Sequence, residues 1–373
     1  MTPEKWIQTV DAQSFRRRLL RWFDRFGRDF DWRRSTDLFA VWVSEVMLQQ
    51  TTTTTVSRRF PAFLDQFPTV SALAEADEEA VLRAWEGLGY YRRARNLHHA
   101  AKRIVAEHAG RIPEDPCVLR SLPGLGRYSA NAMLCFARNH PLPILEANTI
   151  RVWSRLCGAG GDAARQPLHG RLWDVADSSI PRKRARDFNL ALMDLGAMVC
   201  TPKNPNCSSC PLRPDCVAFK SGKPEQFPSK PTKSQSIEDR QVVVVIRRRN
   251  RILVLQRPDG GRWAGMWELP NACLEKGAFS EAAAMELAVR FGVGLGAFRK
   301  LADVSYGVMN IRVKASCFLM EAAGKGMQPT GRKARWATSA EIARMPLSSA
   351  HRRIVTFLTK APVGENRGPL GTA

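Results

Sequence analysis

The sequence predicts two domains of different class, an all-α N-terminal domain and a smaller C-terminal α+β domain. Three observations predict it. From Ser14 to about Phe219, apolar residues recur at helical spacing between Gly and Pro breakers, without long β-branched alternations. Residues 221–240 then carry Pro224, Pro228 and Pro231 among Lys, Ser and Gln, which is linker composition. Beyond them, residues 242–246 and 252–256 read as paired strands across a basic turn.

Each element follows from local signals. Residues 78–85 and 96–107 have the apolar period of amphipathic helices. Phe67-Pro68, Gly87-Leu88-Gly89, Ile112-Pro113 and Pro123-Gly124-Leu125-Gly126 separate the helical segments. In the second domain, residues 280–290 read as a helix and 311–319 as a further strand. The expected domains are therefore 1–220, a linker 221–240, and 241–360, with a disordered Gly- and Pro-rich tail at 361–373. A chain of 373 residues suits two cores better than one.

Lys and Arg number 57 against 35 Asp and Glu, a net charge of +22, so polyanions are the expected partners. The first residues lack the apolar core of a signal peptide, and residues 242–246 are too few to span a bilayer. A soluble, cytoplasmic protein is expected, in which cysteines rarely pair as disulfides. Cys117, Cys135, Cys157, Cys273 and Cys317 are scattered and are expected to be small buried residues. The six histidines show no metal spacing, and His98-His99 is expected on a helix surface.

The other four cysteines, Cys200, Cys207, Cys210 and Cys216, form a C-x6-C-x2-C-x5-C run. Zinc sites more often use two C-x2-C pairs separated by a longer stretch. The unequal spacing suits a compact loop around a 4Fe–4S cluster, and the prolines at 202, 205, 211 and 214 keep that loop irregular. Lys203 and Arg213 give the loop positive charge. About 75 residues upstream, two helical segments flank LPGLG at 122–126. Gly124 and Gly126 let a ligand approach the backbone, and the helix starting near Arg127 directs free N–H groups to the same place. This is a sequence-independent phosphate site, although a plain turn between helices has the same local pattern.

Together these motifs resemble the helix-hairpin-helix DNA glycosylases that carry an iron–sulfur cluster. The segments WVSEVMLQQT (42–51), WEGLGYYRRARNL (85–97) and FNLALMDLGAMVC (188–200) narrow the resemblance to the adenine-specific mismatch glycosylase (MutY) family. The resemblance implies a monomeric, nucleoid-associated enzyme of base-excision repair. Its expected partner is double-stranded DNA with adenine mispaired with 8-oxoguanine or guanine. Endonuclease III relatives place a Schiff-base lysine where this chain has Tyr128, so hydrolysis by water is expected, without a lyase step.

Adenine leaves deoxyribose poorly as an anion, and protonation of its ring requires a carboxylic acid still protonated near neutrality. Glu45 lies in the apolar stretch VWVSEVML, and the resemblance makes it the general acid. The resemblance also places an anion beside the cationic sugar, at a position that is usually Asp and here is Glu146, in PILEANTIRV (143–152). The extra methylene reaches the same point after a backbone adjustment or misses it. Asn148 and Tyr128 are assigned to the same site, although a cap or turn role suits Asn148 equally well. Gln49, Gln50 and Tyr90 match positions that enter or line the opened duplex once the base is flipped.

Residues 240–360 resemble the MutT-like, Nudix-fold domain with which this family recognises 8-oxoguanine. WAGMWELP (263–270) carries the match best. The magnesium-binding glutamate helix is eroded, with Glu286 kept but Val289 and Arg290 where a glutamate pair is needed, so binding without nucleotide hydrolysis is expected. The lesion-sensing loop, commonly F-S-H, is Val304-Ser305-Tyr306, which leaves Ser305 as the candidate lesion contact. The rival readings are an endonuclease III-like glycosylase with lyase activity, a non-catalytic damage-binding protein and a nucleotide-pool hydrolase.

Overall fold

The computed structural model describes residues 3–229, 237–258, 260–261, 263–275, 277–291, 294–308, 310–323 and 333–360. The expected tail and part of the expected linker lie outside these. The chain forms two compact units, Met1–Ala76 with Arg93–Lys233, and Asp77–Arg92 with Ser234–Ala373.

The first unit is helical. Helix Leu38–Leu48 starts where the Asp37 carboxylate accepts the N–H groups of Phe39 and Ala40, at 3.3 and 3.1 Å. Every residue from Leu38 to Met47 is buried, so this helix lies inside the unit and carries Ser44 and Glu45 in with it. Its C-terminal carbonyls are met from outside the helix. The Arg93 guanidinium donates to the carbonyls of Val46 (2.6 Å) and Met47 (3.0 Å) and to Thr51 Oγ1 (3.0 Å).

A second core joins helices Ala12–Phe26, Ala147–Cys157, Leu168–Ser179 and Ala185–Met198 to the cysteine loop. Trp6, Phe15 and Trp153 pack ring to ring with centroids 5.7–6.0 Å apart. Leu212, from the middle of the loop, is fully buried in the same cluster. Burying each large apolar side chain contributes roughly 1.5–3 kcal/mol, so the loop is anchored by packing as well as by any group it holds. Trp6 Nε1 donates to Asp215 O at 2.9 Å and ties the end of the loop to the N-terminal helix.

The second unit is built on a sheet of β1 (Ile237–Arg248), β2 (Arg251–Gln256), β3 (Trp267–Glu268), β4 (Asn271–Cys273), β5 (Gly294–Val308), β6 (Ile311–Ala323) and β7 (Ala334–Thr338). The order is β3-β2-β1-β6-β5, with β4 on β1 and β7 on β2. β1 and β6 are parallel and the other pairs antiparallel. β1 and β2 form the expected hairpin, with Arg248 opposite Arg251 across the Arg249-Asn250 turn. The run from Val242 to Ile246 is apolar at every position because both faces of the sheet are covered. Val243 and Val245 face a core shared with helix Ser349–Lys360, and Val242, Val244 and Ile246 one shared with helix Ser280–Val289.

The segment 77–92 belongs to this second unit. Arg352 donates to both oxygens of Glu86, each at 2.6 Å, and to the carbonyls of Ile342 and Met345. These partners are 266 positions apart, beyond what local pattern conveys.

Several expectations are corrected. His98 is fully buried rather than on a helix surface, because its helix, Arg92–His108, turns that position inward with Leu97 and Ala101. Cys117 and Cys273 are exposed, while Cys135, Cys157 and Cys317 are buried. Val304-Ser305-Tyr306 is no loop. It runs within β5, with Ser305 opposite Lys314, because alternating residues suit a strand paired along its length.

Candidate active site and cysteine loop

The first unit holds a cleft of about 640 Å³, and Glu45, Gln49, Gln50, Gly124, Gly126, Tyr128, Glu146 and Asn148 all line it. Sequence reasoning placed these eight residues on three separate segments, and the fold brings them to one wall-lined space. Tyr90 and Ser305 belong to the second unit.

Glu45 is 4% exposed in the middle of an apolar helix. Its one hydrogen-bond partner among the described residues is Tyr128, whose Oη donates to Oε2 at 2.7 Å. Burial pushes the Glu45 carboxyl up to about 7, against the weaker opposing pull of the Tyr128 bond and the Arg33 charge, with Glu146 adding to the rise. Burial and the neighbouring Glu45 hold the Tyr128 phenol well above its ordinary range, so it stays a donor.

Glu146 enters by a fixed route. Asn131 Nδ2 donates to Pro143 O at 2.8 Å and Asn189 Nδ2 to Leu142 O at 3.0 Å, which hold the segment before it. Glu146 is the N-cap of helix Ala147–Cys157. Its Oε1 accepts from Thr149 N at 3.0 Å and its Oε2 from Asn148 N at 2.9 Å, while Thr149 Oγ1 accepts from Glu146 N at 2.8 Å. Asp is a common residue at such caps, and the longer glutamate here folds back onto the same N–H groups. Burial raises the Glu146 pKa, partly opposed by those backbone bonds and by Arg151. Asn148 lines the same cleft. It caps with its N–H, and its side chain bridges Glu146 Oε2 (3.3 Å) and Arg151 Nη2 (2.9 Å).

The two hairpin glycines differ. Gly124 has φ +79°, and a Cβ there would stand 2.7 Å from Asn96 Cβ, so the fold itself demands glycine. A Cβ on Gly126 would meet nothing within 4 Å, so its openness faces outward. Gly126 is also the N-cap of helix Arg127–Arg138 and offers its first N–H groups no side-chain acceptor. Gln49 Nε2 donates to Ser129 Oγ at 3.3 Å, and Gln50 takes a left-handed φ of +57° at the end of the Glu45 helix. Tyr90 follows Gly87 and Gly89, both at positive φ, and is itself at φ +47° and 48% exposed. Ser305 is exposed, and its carbonyl accepts from Arg353 at 3.1 Å. Glu286 is exposed and paired with Arg290 in its own helix.

Sequence reasoning missed Arg28, Arg33 and Asp194. Asp194 is fully buried and accepts from Arg33 Nη1 and Nη2 at 2.8 and 2.9 Å, from Arg28 Nε at 2.7 Å and from Arg28 N at 2.8 Å. Both arginines line the cleft. The available signal was an acid inside the apolar run LALMDLGAM, the same signal that identified Glu45.

Cys200, Cys210 and Cys216 pack against the aromatic core, and all four loop thiols lie within one another's electrostatic reach. Burial pushes Cys210 up to about 12 and Cys216 up to about 11 as free thiols. Among the described residues no three His, Cys, Asp or Glu side chains are grouped as ligands of a single ion. A cube presents separate iron corners, so its four thiols stand farther apart than the ligands of one ion. The donor set and its enclosure fit a 4Fe–4S group.

Residues 43–176 match the HhH-GPD superfamily of base excision DNA repair proteins, and residues 241–357 match the NUDIX domain. The adenine DNA glycosylase of Rattus norvegicus is 31% identical, over 92% of this chain and 78% of its own length. That of Buchnera aphidicola (from Schizaphis graminum) is 34% identical, over 69% of this chain and 74% of its own. A thermostable thymine-DNA glycosylase has a similar fold, with a TM-score of 0.53 and 26% identity over 56% of this chain and 97% of its own. With this breadth of match across both units, the chain belongs to the adenine DNA glycosylase family.

Proposed function

We propose that this chain hydrolyses the N-glycosidic bond of adenine mispaired with 8-oxoguanine or guanine in double-stranded DNA. The observation that carries this reading is the state of Glu45, a buried carboxyl held near pH 7 in a cleft that also contains Glu146. Glu45 in its acid form donates its proton to the flipped adenine ring as the C1′–N9 bond breaks. The Glu146 carboxylate, fixed on the helix N-terminus, opposes the positive charge that develops on the sugar. Water adds to C1′ and returns a proton to Glu45, leaving free adenine and an abasic site. Tyr128 positions the Glu45 carboxyl, and Asn148 steadies Glu146.

Among the described residues, the cleft lining contains Arg28, Arg33 and Arg186 but no lysine, which supports hydrolysis over a Schiff-base lyase route. Gly124, Gly126 and the following N–H groups bind backbone phosphate, Gln49, Gln50 and Tyr90 occupy the opened duplex, and Ser305 contacts the lesion. Cys200, Cys207, Cys210 and Cys216 hold a 4Fe–4S cluster, which when bound cross-links the loop and takes no part in bond cleavage. Glu286 is paired with Arg290, and Val289 and Arg290 stand where a magnesium site needs a glutamate pair, which argues against nucleotide hydrolysis by the second unit. Among the described residues no helix is long and apolar enough to cross a membrane, and action as a monomer near the chromosome accords with the reading.

The test is single-turnover base release from duplexes carrying adenine opposite 8-oxoguanine, guanine or cytosine. Adenine release opposite the first two is expected. Release of another base, or none, sinks the proposal.

A further inference from the structure

Arg155 lies in helix Ala147–Cys157 and is 2% exposed. Its guanidinium donates to the carbonyls of Thr201 (2.7 Å), Pro202 (3.1 Å) and Phe227 (3.1 Å). Nη1 also stands 3.3 Å from Cys200 Sγ. No carboxylate meets Arg155 among the described residues. A buried cation whose partners are all neutral is costly in a low-dielectric interior. The partly buried Arg28 and Arg33 avoid that cost, since both share the fully buried Asp194. Among the described residues, the one group in contact with the Arg155 guanidinium that can carry negative charge is the Cys200 sulfur. The neighbouring Arg151 is placed differently. It donates to the main-chain oxygens of Cys200 (2.7 Å) and Gly196 (2.6 Å), and Arg155 alone of the two reaches the thiol. The carbonyl of Arg155 also lies 3.5 Å from Cys216 Sγ, so one residue touches the first and last cysteines of the loop.

Resting on the cluster assignment above, we propose that Arg155 is the charge partner of cluster-bound Cys200, a positioning residue that raises the reduction potential of the bound group and slows its oxidative loss. A positive charge beside a thiolate ligand favours the more reduced, more negative state of a cluster, and hydrogen bonds to ligand sulfur act in the same direction. The plain alternative is a loop clamp, in which Arg155 only ties residues 200–202 to Phe227 through their carbonyls. The two differ in what lysine can replace. Lysine keeps the charge at Cys200 but loses the planar fork that spans three carbonyls.

The experiment compares the full-length wild type, Arg155→Lys and Arg155→Met. The measurements are iron and sulfide content, reduction potential by voltammetry, the rate of cluster loss to added ferricyanide as the oxidant, and Tm. The expected result is a potential shifted to lower values and a several-fold faster loss in Arg155→Met, with Arg155→Lys close to wild type in potential despite a lower Tm. An Arg155→Met protein loaded with cluster at the wild-type potential overturns the proposal, as do equal shifts in both variants. Failure of both variants to load a cluster that the wild type holds also overturns it, in favour of the clamp. A wild type without iron and sulfide removes the cluster assignment itself, which is a separate outcome.

Discussion

Helix Leu38–Leu48 and helix Ala185–Met198 each bury one carboxylic acid among apolar residues, and the two acids end in opposite states. Asp194 receives two guanidinium groups and a backbone N–H. Burial pushes its pKa up, but the bonds from Arg33 and Arg28 more than reverse this and hold it below 3.8. Glu45 receives one phenol, and burial carries it to about 7. The same sequence signal, an acid inside an apolar helix, therefore marks a structural ion pair in one place and the proposed proton donor in the other. What decides is whether a cation arrives from elsewhere in the chain.

The largest effect should come from removing the proton donor. Glu45→Gln should lower single-turnover adenine release on the order of 10³-fold, the range of general-acid contributions, with duplex binding retained. Retained release in that variant would equate the two buried acids and end the distinction. Glu146→Gln should lower release by a further large factor, on the order of 10²-fold. It should also cost about 1 kcal/mol of stability through the weakened cap, read in denaturant titrations. Near-native turnover there would leave Glu146 a cap and nothing more.

Asp194→Asn should act on the fold instead. It strands the mostly buried guanidinium of Arg33, and the loss should lie toward the low end of roughly 3–5 kcal/mol because both arginines keep some exposure. The pH dependence separates the two acids further. Asp194 has a folded pKa below its ordinary value, so its contribution is complete above that value and is lost as pH falls through the folded pKa. Glu45 is the reverse. Its folded pKa lies above the ordinary 4.5, so it destabilises the fold progressively as pH rises from there to about 7. Melting curves against wild type should show Glu45→Gln gaining stability relative to wild type as pH rises from 4.5 to about 7, while the Asp194→Asn deficit stays level there and shrinks only as pH falls below 3.8. The smallest effect is expected from Tyr128→Phe. Loss of its hydrogen bond removes an influence that lowers the Glu45 pKa, so the alkaline limb of the rate profile should move to higher pH.

Much of this was readable in the sequence where the signal is local. The apolar flanks of Glu45 foretold its burial, the glycines of LPGLG foretold the turn before Arg127, and the cysteine spacing foretold one loop. The β1–β2 hairpin followed from two apolar runs and a basic turn. What stayed hidden depends on partners far apart in the chain. Asp194 meets arginines 161 and 166 positions away, and Arg155 meets Cys200 across 45. His98 reads as polar surface until the helix is seen packed on that side. Ser305 was expected in a loop by resemblance, and only the pairing of β5 with β6 shows the strand. Glu146 reads as one catalytic anion, yet both its oxygens also serve the helix it starts.

The central claim is that Glu45 works as an acid because burial, unopposed by a cation in contact, holds its proton near neutral pH. The pH dependence of single-turnover adenine release from an adenine:8-oxoguanine duplex tests it most directly, with Glu45→Gln as baseline. The account predicts a rate that falls tenfold per pH unit above about 7, with an acid-side fall only where the Glu146 carboxylate, its pKa raised by burial, takes up a proton. A wild-type rate that stays constant through that region, or falls in parallel in the Glu45→Gln protein, would contradict it.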